Sequence, residues 1–169
     1  MARPNRYTSK AARQMGYASG FEARTADQLE KDERAYEYES ETCEFEYHKT
    51  ISRGAVLDED GEKVVIGSEK WKVVQWHTYT CDFCIKTSKG ENLFIETKGY
   101  FKPQDRAKHV LVRKQHPEAD IRIIFTQDGK VSVKTRYSQW CEKNNIKYHI
   151  VTPSNLKEGN IIPQGWLEE

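Results

Sequence analysis

With 169 residues, 37% of them hydrophobic, the chain holds enough for one domain with a buried core. No run reaches the roughly 18 apolar residues of a membrane span and no charged-then-apolar leader opens it, so no membrane partner and a cytoplasmic location are expected. The net charge of only +1 conceals a polarisation: the first twenty residues are purely basic, the stretch from Glu22 to Glu62 is acidic, and that from Lys63 to Thr152 is basic again. Such patches, not the total, point to nucleic acid.

Residues 1–18 carry Arg3, Arg6, Lys10 and Arg13 without apolar periodicity. This is the pattern of a basic flexible arm that orders on phosphates, or of a plain disordered terminus. Ser19-Gly20-Phe21-Glu22 fits a capping box, with Ser19 as N-cap and Glu22 at the third helical position, so a helix is predicted from Ser19 to near Arg34 on an apolar face of Phe21, Ala26 and Leu29. Residues 36–47 alternate aromatic and acidic side chains with period two for most of their length, the mark of a half-exposed strand. In residues 48–75, Val56-Leu57, the turn Asp58-Glu59-Asp60-Gly61 and residues 63–66 predict a hairpin, packed back on the core by Trp71 and Trp76. The acidic turn lacks EF-hand spacing and reads as solvated.

Residues 79–85 and 92–97 predict two strands joined by the turn Thr87-Ser88-Lys89-Gly90. Lys102-Pro103 opens the next helix, with Asp105 complementing its positive end. Its expected inward stripe is Ala107, Val110, Leu111 and the stem of Lys114, and His116-Pro117 stops it. Lys102, Arg106 and Lys108 make its start basic, a phosphate track or ordinary solubilising charge. A buried strand at 121–125, a short helix at 137–144 ended by two asparagines, a strand at 147–151 and a C-terminal tail at 153–169 complete the chain. Cys43, Cys81, Cys84 and Cys141 are too few for a secreted disulfide scaffold. Cys81-x-x-Cys84 has zinc-like spacing, but on one continuous strand the two thiols would face opposite ways, which favours reduced core cysteines.

The chemistry concentrates at residues 77–99. Asp82 interrupts an otherwise apolar strand, and Glu96 and Lys98 end the next one two residues apart, so both side chains point to one face. A pairing centred on the turn brings Asp82 to the same end. Carboxylates are hard oxygen ligands suited to Mg²⁺ or Mn²⁺, and a lysine beside them can hold a phosphate oxygen or orient a water. A strand-edge acid and a solvated Glu-x-Lys pair are the plain alternative. Residues 93–95 tell against it, because charges that end a doubly buried strand are costly unless paired or bound.

These residues resemble the PD-(D/E)xK nuclease signature. HTYTxDF, FIETKG, DRxKHxLxRxQHPExDIRI and WCEKNNIKY together resemble the phage endonuclease I family of Holliday junction resolvases, from about Ser19 to Tyr148. Cys81 stands where the motif has proline. The resemblance implies a restriction-endonuclease-like α/β core, a mixed sheet flanked by helices, in a strand-exchanged homodimer that cuts branched DNA with Mg²⁺ or Mn²⁺. It implies metal ligation by Asp82, Glu96, the carbonyl of Thr97 and Glu22, with Lys98 positioning the nucleophile and Glu22, Asp82, Glu96 and Lys98 forming the catalytic set. Arg3, Arg6, Lys10, Arg13, Lys102, Arg106 and Lys108 are the DNA-contact candidates. Against the family pattern, residues 48–75 are an insertion and the acidic ending replaces a basic tail. A nicking or nonspecific nuclease on the same core, or a non-catalytic DNA-binding protein, are the alternative readings.

Overall fold

The computed structural model describes residues 7–51, 56–57, 60, 63–64 and 73–169. In chain order the elements are α1 (Ser9–Gln14), α2 (Gly20–Lys31), β1 (Tyr36–Tyr38), β2 (Glu44–Ile51), β3 (Val56–Leu57), β4 (Lys63–Val64), β5 (Val73–Thr80), β6 (Phe83–Lys86), β7 (Asn92–Lys98), α3 (Pro103–Gln115), β8 (Asp120–Phe125), α4 (Tyr137–Lys143), β9 (Tyr148–Ile150), α5 (Pro153–Glu158) and α6 (Gln164–Glu168). The mixed sheet expected from the sequence is present. Five strands run in the order β1-β6-β7-β8-β9, antiparallel from β1 to β7 and parallel from β7 to β9.

The parallel half explains the apolar runs. Residues 93–97 of β7 and 121–125 of β8 are buried throughout, as strands covered on both faces must be. The β6–β7 register pairs Phe83 with Ile95 and Ile85 with Leu93. The period of two then sends these four to one face, where Ala26 and Leu29 of α2 meet them. Cys84 and Phe94 go to the other, with Phe45, Tyr79, Val112 of α3 and Ile121. Gly90 supplies the φ of +82° that the intervening turn requires.

Two predicted strands are each broken, and the breaks lie together. Residues 36–47 divide at Glu39, whose φ is +42°, and at a 3₁₀ turn over Glu41–Cys43. Residues 79–85 divide at Cys81-Asp82. There the Cys81 N–H donates to the Cys43 carbonyl (2.9 Å) and the Glu39 N–H to the Asp82 carbonyl (3.0 Å). Hydrogen bonds across the two kinks let the pair of chains leave the main sheet together and continue as a separate β2–β5 ribbon from Glu44↔Thr80 to Ile51↔Val73. In the first segment the alternation changes phase across the break, with aromatics at 36 and 38 before it and at 45 and 47 after it.

Other expectations are corrected by packing. The α3 stripe is out of phase: His109 and Val112 are buried while Val110 is exposed, because the helix turns His109 onto Tyr79 and Phe101 and Val112 into the cluster with Phe94 and Ile121. The hairpin at 56–57 and 63–64 forms, whereas Trp71 lies outside the described residues. Trp76 is 64% exposed and rests on His48 across the ribbon, 5.1 Å between rings, rather than on the core. Within the basic arm, Ser9–Gln14 form α1 with Ala12 buried. The segment docks so closely that a Cβ on Gly20 would stand 1.9 Å from the Tyr7 carbonyl oxygen. The expected tail is core: Ile161, Ile162 and Leu167 are buried with α2 and β6, and Gln28 accepts from the N–H groups of Ile161 (2.6 Å) and Ile162 (2.7 Å). Three isolated apolar residues among Gly, Pro and acids gave no periodic signal for this. No helix among the described residues is long and apolar enough to cross a membrane.

Candidate active site

Asp82 stands at the kink before β6, and register carries it opposite Glu96. Both are buried, Asp82 to 9% and Glu96 to 2% exposure. Thr97, next on β7, donates twice to one oxygen of Asp82: its backbone N–H lies 2.7 Å and its hydroxyl 2.6 Å from Oδ2. Glu96 is held on both sides, by the Tyr79 hydroxyl donating to Oε2 at 2.7 Å and by the Lys98 ammonium paired with Oε1. Period two predicted that Glu96–Lys98 contact, and the turn-centred pairing predicted the approach of Asp82.

The electrostatics show what this end of the sheet lacks. Burial, and after it the charge of Glu96, pushes the Asp82 carboxyl up to about 8, against the pull of the Thr97 hydrogen bonds and Lys98. Burial alone would lower the Lys98 ammonium, but the Glu96 charge and hydrogen bond, with Asp82 behind them, carry it above its usual value. One ammonium serves two buried acids. Bringing Asp82 to the charged form beside the Glu96 charge asks for a further cation, and hard oxygen donors suit Mg²⁺ or Mn²⁺. Among the described residues no group of three or more His, Cys, Asp or Glu is gathered to hold a metal. Asp82 and Glu96 as the side-chain ligands, with backbone and water oxygens completing the shell, fit the magnesium habit of one or two carboxylates and several waters.

Glu22 is brought near this end of the sheet but not into the pair. Its carboxylate accepts from the Ala18 N–H (2.9 Å), the Ser19 hydroxyl (2.7 Å) and the Tyr38 hydroxyl. Ser19 caps the helix by accepting from the Glu22 N–H (3.2 Å), but the carboxylate returns to Ala18 rather than to the Ser19 N–H, so the reciprocal bond of a capping box is not made. Sequence reasoning missed Glu39, at the kink beside Asp82: its N–H donates to the Asp82 carbonyl (3.0 Å), and burial, followed by the charges of Glu22 and Glu96, raises its carboxyl while Lys98 lowers it. Tyr79 was missed as well, being read only as a strand aromatic. The signal available was its place in HTYTCDF, three residues before the aspartate.

Of the DNA-contact candidates, Arg3 and Arg6 lie outside the described residues. Lys10 and Arg13 are exposed on α1, and Lys102 is exposed at the N-cap of α3. Arg106 is turned inward, donating to the Phe101 carbonyl at 2.6 Å. Lys108 lies over the Tyr79 ring, its nitrogen 4.6 Å from the centroid, so the start of α3 borders the acidic pair. Cys81 and Cys84 do not face opposite ways: with the strand broken between them, both enter one apolar cluster with Cys43. All four cysteines are free and buried.

A family model described as phage endonuclease I matches residues 56–169. The chain is 33% identical over 172 residues to Endonuclease I of Escherichia phage T7, covering 96% of this chain and 87% of that protein. It is 40% identical over 87 residues to Endodeoxyribonuclease 1 of Enterobacteria phage T3, covering 48% of this chain and 55% of that protein.

Proposed function

This chain belongs to the phage endonuclease I family, and from that membership we propose that it is a metal-dependent DNA endonuclease selective for four-way junctions and other branched DNA, acting as a homodimer on a restriction-endonuclease-like core. The observation that carries the reading is the buried pair Asp82 and Glu96, whose one ammonium, Lys98, is paired with Glu96, and an Asp82 carboxyl at about 8. Such a pair costs stability in the empty protein, and a divalent cation offsets the cost.

In this reading Asp82, Glu96 and the Thr97 carbonyl hold Mg²⁺ or Mn²⁺. The bound ion supplies an acidified water and neutralises charge gathering on the phosphate. Lys98, released from Glu96 as positive charge enters, holds the attacking water or a phosphate oxygen. Glu22, held by the Tyr38 hydroxyl of β1, would assist a second ion or its water. Lys102 and Lys108 at the start of α3, with Lys10, Arg13, Arg3 and Arg6, contact the DNA backbone and set affinity rather than chemistry.

The test is incubation of the purified protein with a labelled four-way junction and a linear duplex of the same sequence, with Mg²⁺ and with EDTA. Symmetric incisions in the junction, abolished by EDTA and at least about tenfold slower on the duplex, support the reading. Equal cutting of both substrates replaces it with a nonspecific nuclease, and binding without cutting replaces it with a non-catalytic DNA-binding protein.

Two symmetric cuts call for two sites related by a two-fold axis. Here α2 packs on β6 of its own chain, and the same contacts serve if partners exchange their N-terminal parts. Refolding Glu22→Gln together with Asp82→Ala distinguishes the arrangements. Exchange of α2 regenerates one intact site per heterodimer and restores single-strand nicking; heterodimers without nicking mean each chain completes its own site.

A further inference from the structure

Each acid of the pair has one oxygen occupied by a neutral donor of the protein and one that is not. On Asp82, Oδ2 takes both Thr97 donors. On Glu96, Oε2 takes the Tyr79 hydroxyl, while Oε1 has only the exchangeable Lys98 ammonium. Tyr79 is fixed for this task. It is fully buried, its ring stacks at 6.1 Å on Phe45 and meets His109 edge-on at 5.3 Å, and the Cys81 thiol donates to its oxygen at 3.1 Å. With the thiol proton already on that oxygen, the phenolic proton is directed to Glu96.

We propose that Tyr79 and Thr97 are positioning residues that pin one oxygen of each acid, so that a cation meets only Oε1 of Glu96 and Oδ1 of Asp82, one oxygen from each. The inference rests on the metal reading above. Its consequence is selectivity. Single-oxygen ligation with several waters suits a small octahedral ion, whereas Ca²⁺ gains from carboxylates that swing to chelate with both oxygens. Pinning withholds that gain. Donors placed behind a ligand govern its orientation and commonly change affinity 10–100-fold when removed. Cys81 belongs to the same device: it replaces the proline of the nuclease motif, and proline offers no hydrogen to the phenol.

Calorimetric titration of Mn²⁺ and of Ca²⁺ into the full-length protein reads the effect without relying on cleavage. Wild type binds Mn²⁺ more tightly than Ca²⁺. Tyr79→Phe keeps the buried ring but frees Oε2, and the ratio of the two dissociation constants narrows by about tenfold. Thr97→Val removes only the hydroxyl and leaves the backbone N–H in place, so it narrows the ratio by less. Cooperative melting shows that both variants are folded. Folded variants that keep the wild-type ratio within about twofold overturn the inference while leaving the metal reading intact. Wild type that binds neither ion removes the metal reading and the inference with it.

Discussion

The two ends of the parallel strand pair treat buried charge in opposite ways. At the start of β8, across from Leu93 of β7, the buried Arg122 guanidinium pairs with both Asp120 and Glu169. Lys147 joins them at 3.3 Å from Asp120 and 3.5 Å from Glu169, and Trp166 lies beneath the guanidinium. Burial would raise the Asp120 carboxyl, but Arg122 and Lys147 hold it below its usual range; hydrogen bonding to Arg122 does the same for Glu169. At the other end one ammonium serves Asp82 and Glu96, and burial beside the Glu96 charge pushes the Asp82 carboxyl up to about 8. Balanced charge at one end ties the last residue of the chain to the sheet. Unbalanced charge at the other leaves a demand that the proposed cation would meet. At one end two cations, Arg122 and Lys147, meet two partly exposed acids, while at the other one ammonium meets two buried acids, so charge balance and burial together set the two ends apart.

The sharpest separation comes from neutralising each end in turn. Asp82→Ala, Glu96→Gln or Lys98→Ala is expected to lower cleavage by at least about 10³-fold while junction binding, which rests on many phosphate contacts, stays within about threefold. Single-turnover cleavage beside a gel-shift titration reads both, and a Lys98→Ala enzyme with wild-type rate would contradict the assignment. At the other end, Arg122→Ala leaves Asp120 and Glu169 unpaired and empties a buried volume. It is expected to cost about 3 kcal/mol in urea unfolding and to leave the metal-dependent step unchanged for the folded fraction.

The pH dependence of stability gives an intermediate test. Because Asp82 is raised in the folded chain, the native state binds more protons than the unfolded one between about pH 4 and pH 8. Stability therefore falls as pH rises through that window and levels off above it. Between about pH 5.5 and 8 the decline from this group is roughly 2 kcal/mol, after discounting for relaxation of the buried pair. Asp82→Asn should flatten the slope and stabilise the metal-free protein at pH 8. Mg²⁺ should raise the melting temperature more at pH 8 than at 5.5. A flat profile in EDTA would show the pair to be compensated after all. The smallest effect is expected from Glu169→Gln, whose exposed carboxylate joins a network that keeps Asp120 and Lys147; thermal melting should shift by no more than a degree or two.

Much of the site was legible before the fold was known, for local reasons. Glu96 and Lys98 share a strand, so period two alone places them together. Asp82 follows from a short hairpin whose turn, with Gly90 at positive φ, fixes the register. The Ser19 cap of Glu22 is likewise a contact within one helical turn. The ending of the short helix at Asn144 and Asn145 needed only the tolerance of asparagine for φ of +52°.

What the sequence determined by itself, then, is what depends on neighbours a few residues away: the strands, the caps, the acid–lysine pair. The rest was decided by tertiary structure because it depends on partners far along the chain. The kinks at Glu39 and Asp82 exist because each satisfies the other's backbone groups, and no alternation pattern records that exchange. Ile161 and Ile162 are core because Gln28, over 130 residues earlier, takes their N–H groups. Tyr79 and Thr97 became donors to the acids only when the kink and the ladder aimed them there. The pKa of Asp82 belongs to no residue type: it comes from burial beside Glu96, which folding imposes.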